Sequence, residues 1–140
     1  MQSANNTSNK VPEWIDLNAN KSTSIVFLIF PEHYLGAFNA VKNSTLPREV
    51  IDYLTAGGTF IDVLARAGFG VGHTLKEYPT LQCLAFKEIL EEYNEDFLKI
   101  IAPFVSAGSY IELRDMEGDK YRWVFNDFTC KRIYPDLIWN

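Results

Sequence analysis

Histidine and cysteine are scarce, with two of each in 140 residues. Nucleophilic catalysis needs an imidazole within reach of Ser or Cys, with a carboxylate behind it for orientation. Here His33 and His73 lie far apart in the chain, no Gly-x-Ser-x-Gly elbow occurs, and neither cysteine has a local catalytic signature. Metal chemistry has even less to build on. There is no His-x-x-x-His, no Cys-x-x-Cys and no Asp-rich calcium loop, so neither a metal nor another cofactor is expected. Cys83 and Cys130 have no paired spacing and read as reduced thiols.

Long apolar runs are missing too. The most hydrophobic stretch, Ile25-Val26-Phe27-Leu28-Ile29-Phe30, has six residues, where a membrane-spanning helix requires about 20. No membrane association is expected. Residues 1–10 have neither the basic start nor the apolar stretch of a secretory signal, which makes a cytoplasmic location the expectation. Positive charge is in deficit: 13 Lys+Arg stand against 18 Asp+Glu, for a net charge of −5. Nucleic acid is therefore a poor partner, because phosphate binding depends on clustered Lys and Arg.

What remains is the composition of an ordinary globular chain, 47% apolar and 22% charged. At this size roughly 70% of the unfolded chain's surface is buried on folding, enough for one core without staples. Residues 1–10 are polar and small and read as a disordered N-terminal segment; residues 11–140 read as a single domain.

Trp14-Ile15-Asp16-Leu17 reads as a short strand, turning through Asn18-Ala19-Asn20-Lys21 into a second strand from Ser24 to Phe30. That second strand is apolar at every position, which predicts cover on both faces. Pro31 ends it and opens a helix carrying Tyr34, Leu35, Phe38 and Val41. Leu46 to Thr55 predicts a further helix, with Thr45 available as a cap. Thr59 with Asp62 resembles a capping box for another, ending at Gly68. The GxGxG of Gly68, Gly70 and Gly72 reads as a loop; it lacks the strand-before, helix-after context of a phosphate-binding turn. Pro79 to Ala102 keeps a 3.6-residue period and reads as the longest helix.

The last third is β. Ser109 to Asp115 and Lys120 to Asn126 alternate around Met116-Glu117-Gly118. A three-residue loop with left-handed Gly118 and a G1 bulge sets Ile111 and Leu113 beside Tyr121, Trp123 and Phe125, and puts Glu112 opposite Arg122 on the outer face. Thr129 to Tyr134 adds a third strand. The fold class is thus α+β: an antiparallel sheet of the N-terminal hairpin and three C-terminal strands, with helices packed on one face.

One electrostatic feature stands out. On a helix from Pro79 to Ala102, Glu88, Glu91, Glu92 and Glu95 fall at i, i+3, i+4 and i+7, a stripe of carboxylates that Asp96 extends. Like charges at this spacing cost a few tenths of a kcal/mol per pair, so the stripe does not help the helix form. It can instead steer and orient a basic partner. These four glutamates are the candidate partner-binding residues, and no catalytic residue is assigned. The expected function is a non-catalytic, acidic protein-binding module, by analogy of composition an inhibitor such as the immunity proteins that neutralise cationic toxins. The alternatives are a small enzyme using His73 in its glycine-rich segment, or a small-ligand carrier. Oligomeric state and partner identity are not encoded in any pattern found.

Overall fold

The computed structural model describes residues 12–73 and 81–135. The polar segment 1–10 and the apolar end Leu137-Ile138-Trp139 fall outside that range. The described chain is α+β, with seven strands in two antiparallel sheets and four α-helices. Strands β1 (Ser24–Val26) and β2 (Leu28–Ile29) are followed by a 3-10 turn at Pro31–His33 and helix α1 (Tyr34–Lys42). Helices α2 (Arg48–Thr55) and α3 (Phe60–Ala67) lead into strands β3 (Phe69–His73) and β4 (Leu81–Phe86). A 3-10 turn at Glu91–Tyr93 then runs into α4 (Asn94–Ile101), and β5 (Ser109–Arg114), β6 (Lys120–Asn126) and β7 (Thr129–Ile133) complete the fold.

One sheet has the order β1-β5-β6-β7 and the other β2-β4-β3. This corrects the expected single sheet with an N-terminal hairpin. Residues 12–19 form turns, in which Ile15 is buried and Asn18 N–H donates to Asp16 Oδ1 at 2.9 Å, so β1 has no N-terminal partner and pairs with β5. The continuous apolar run 25–30 is not one doubly covered strand. Fully buried Phe27 marks the point where the chain changes sheets, while Val26 and Phe30 are exposed. Sequence periodicity does not separate a central strand from a segment that switches sheets, since both are apolar throughout.

The β5–β6 register is the bulged one. Ile111 pairs with Trp123, Leu113 with Tyr121 and Glu112 with Arg122, and Gly118 has φ +89 in a loop closed by Gly118 N–H to Asp115 O at 2.9 Å. Glu112, however, is buried at 7% exposure and not on an open face. Its carboxylate accepts from Thr23 Oγ1 at 2.8 Å and Arg122 Nε at 3.2 Å, with Lys120 Nζ at 3.8 Å. Thr59 caps α3 as its spacing predicts, accepting from Asp62 N–H at 3.1 Å. Thr45 does not cap α2, which starts after Pro47 with no side-chain cap.

Two elements differ outright from the expectation. The glycine-rich segment is strand β3, paired along β4 from Phe69↔Phe86 to His73↔Leu81. The Pro79 to Ala102 helix is real only from Asn94 onward, its first part being β4. The reason is a β-bulge. Gly70 pairs with Ala85 and Val71 with Cys83, so Leu84 is an extra residue on β4. A bulge shifts side-chain alternation by one. Buried Cys83 and Phe86 are consequently three apart, and an i, i+3 spacing reads as helical.

Candidate functional site

The acidic residues come together by a route other than a helical stripe. After β4 the chain leaves the sheet at Lys87, held by Glu88 N–H to Asn20 O at 2.9 Å, while Asn20 Nδ2 donates to Arg114 O at 2.8 Å. These two bonds bring Glu88 beside the end of β5. Glu91 and Glu92 then occupy the 3-10 turn, and Glu95 lies in the first turn of α4. Glu91 has φ +52, a left-handed conformation uncommon outside glycine. Buried Asn94 holds it there: its Nδ2 donates to Glu91 O at 2.9 Å and its Oδ1 accepts from Leu90 N–H at 3.3 Å.

The result is a surface cleft of about 310 Å³. Glu88, Glu91, Glu92 and Glu95 all line it, joined by Asp115 from the β5–β6 loop, with Tyr121, Trp123 and Arg132 of β6 and β7 on its other wall. The four carboxylates are not equivalent. Glu88 faces inward, its two oxygens accepting from Tyr121 Oη at 2.7 Å and Trp123 Nε1 at 3.0 Å. Glu95 is paired with Lys99 at 2.8 Å one turn on. Glu91 and Glu92 are exposed, and neither forms an ion pair among the described residues. Asp96, also exposed on α4, is not among the cleft's lining residues.

The local field follows the charges. Burial, the Glu88 hydrogen bond and the Glu88 charge push the Tyr121 phenol well above its ordinary value. Tyr93, which follows Glu92 in the chain, is raised by desolvation and by the charge and hydrogen bond of Glu92. Against this field, Arg132 lays its guanidinium over Tyr121 at 4.3 Å, with Trp123 at 5.6 Å and Tyr134 at 5.7 Å. Stacking of this kind keeps a cation in place without a carboxylate partner.

Sequence reasoning found the four glutamates and missed Asn20, Asp115, Asn94 and Arg132, which lie on separate elements. Tyr121 and Trp123 were legible as core aromatics, but not as donors to Glu88. On the loop below, Asp115, Glu117 and Asp119 bring three carboxylates within 4.8 Å. Asp115 Oδ1 there accepts from the Glu117 and Asp119 amides, which shapes the turn. His33 faces Glu32 at 3.8 Å and Phe104 and shares no residue with the cleft. His73 closes β3, its backbone paired with Leu81; its side chain lies outside the described part of the structure. Among the described residues no helix is long and apolar enough to cross a membrane.

The site defines an acidic cleft with an aromatic wall on an α+β scaffold. Comparison with protein families, with curated proteins and with solved structures returns no match for this chain.

Proposed function

We propose that this protein is a non-catalytic binding module that receives a basic side chain of a protein partner in the cleft, with Glu91 and Glu92 as its principal counter-charges. The observation that supports the reading is the convergence of Glu88, Glu91, Glu92, Glu95 and Asp115 on one concavity. Five carboxylates at a single opening, offset only by Arg132 in the wall and by Lys99 on Glu95, leave a net negative potential that attracts a cation at long range and orients it on arrival. The roles divide by geometry. Glu88, committed to Tyr121 and Trp123, fixes the wall, whereas Glu91 and Glu92, exposed and without an ion pair among the described residues, offer their charge to a guest, Glu92 while also hydrogen-bonded to Tyr93. An inhibitor covering a cationic toxin is one protein of this type.

The test uses Nα-acetyl-arginine amide as the probe and the Trp123 indole N–H as the reporter, in a ¹H–¹⁵N NMR titration. Saturable movement of that resonance, lost in the E91Q/E92Q double variant and weakened by salt, is the expected result. A linear response of equal size in wild type and variant would overturn the reading.

A further inference from the structure

The β6–β7 hairpin turns through Asp127 and Phe128, between the paired residues Asn126 and Thr129. Both loop residues have positive φ, +52 and +64. This is the type I′ pattern, for which Asn-Gly is the favoured sequence. Phenylalanine adopts it only under strain, and the surroundings enforce it. Thr129 Oγ1 donates to Asn126 O at 2.9 Å, while Gly108 N–H donates to Phe125 O at 2.9 Å and to Asn126 Oδ1 at 3.2 Å. The ring so placed is 77% exposed. An apolar side chain left mostly in water on a strained turn contributes little to the isolated fold, which points to a contact made outside it.

The surroundings of Phe128 suggest what it meets. The ring itself forms one side of a hollow of about 170 Å³, whose apolar floor is Ala102, Val105, Ala107 and Phe125 and whose rim includes Asn126 and Asp127. A projecting ring and a hollow side by side on one surface satisfy the requirement of a twofold contact, in which each copy offers the same patch to the other. Charge agrees. Asp127 and Lys131, on the same hairpin, carry opposite signs, and neither forms an ion pair among the described residues. Two unpaired charges of opposite sign on one face allow a twofold contact to pair each Asp127 with a Lys131 of the other copy.

We infer that the hairpin tip is a self-association surface, through which two copies of the chain meet about a twofold axis, Phe128 of each entering the hollow of the other. The acidic cleft plays no part in this contact and stays open in the pair. The test is sedimentation velocity on the full chain up to about 1 mM. Wild type should pass from monomer to dimer, and F128G should weaken association at least tenfold while melting no lower than wild type, since glycine relieves the strained turn. F128N, also suited to left-handed backbone, serves in its place should F128G not fold. D127K and K131D should each weaken association when alone, and an equimolar mixture of the two should recover it. A wild type that stays monomeric throughout, an F128G that associates as well as wild type, or a mixture that gives no recovery would each overturn the inference.

Discussion

Glu88 spans the two aromatic residues of the cleft wall, one carboxylate oxygen on the Tyr121 hydroxyl at 2.7 Å and the other on the Trp123 indole N–H at 3.0 Å. Trp123 and Tyr121 are each 2% exposed, so once the carboxylate is removed their donors depend on water entering from the cleft. Glu88→Ala replaces two charge-assisted hydrogen bonds with water at best and should cost about 2 kcal/mol in urea unfolding. Glu88→Gln keeps one acceptor oxygen and should cost about half as much. Tyr121 reports the same bond by another route. In E88A its phenol should titrate at lower pH than in wild type, as followed by ultraviolet absorbance.

Glu112 shows how burial and pairing compete on one carboxyl. Desolvation alone would raise it; the Thr23 hydroxyl, Arg122 and Lys120 outweigh that and hold it below its ordinary value. A depressed carboxyl contributes stability that is present above the unfolded pKa, near 4.5, and is lost as the pH falls through the folded value. Glu112→Gln should therefore cost about 2 kcal/mol at pH 7 and unfold with a shallower acid dependence below pH 4.5. Acid titrations of wild type and E112Q followed by circular dichroism would check this. Parallel acid limbs would show that the cluster adds nothing to acid stability.

Glu91 opposes stability to binding. Its φ of +52 costs on the order of 1 kcal/mol relative to glycine. Glu91→Gly should raise the unfolding free energy by about that amount and weaken the response to Nα-acetyl-arginine amide. Asn94→Ala, which releases the turn from both its hydrogen bonds, should destabilise by about 1–2 kcal/mol and weaken the same response although Asn94 carries no charge.

How far the sequence could be read depended on how local the deciding interactions were. The Ile111, Glu112 and Leu113 register was legible because loop length and face composition constrain it together, within twenty residues of chain. Thr59 was legible as a cap because capping is contained in the four residues from Thr59 to Asp62. Strands β3 and β4 were not, because the glycines of one and the bulge of the other make sense only when paired, and Leu84 hides the alternation. The cleft was half legible. Its four glutamates are close in sequence, so a wrong helix still grouped them, whereas Asn20 before β1, Asp115 in the β5–β6 loop and Arg132 on β7 arrive through long-range pairing that no local pattern encodes.

The two thiols are the first groups whose burial ties stability to alkaline pH, ahead of the raised Tyr121 phenol. Cys83 and Cys130 are each buried, and desolvation raises both from an ordinary 9.0 to about 12. A raised acid pKa means that the unfolded chain releases its proton first. The associated stability is complete below pH 9 and declines as the pH climbs from about 9 to 12. Base-induced unfolding should thus begin near pH 9 in wild type and be delayed in C83A/C130A, although the double variant is less stable at pH 7 through lost packing. The same burial predicts slow chemistry. Neither thiol should react with an aromatic disulfide reagent at pH 8 until urea unfolds the chain, when both react at once. Fast reaction of either thiol in the folded protein would show that its site opens far more often than global unfolding allows.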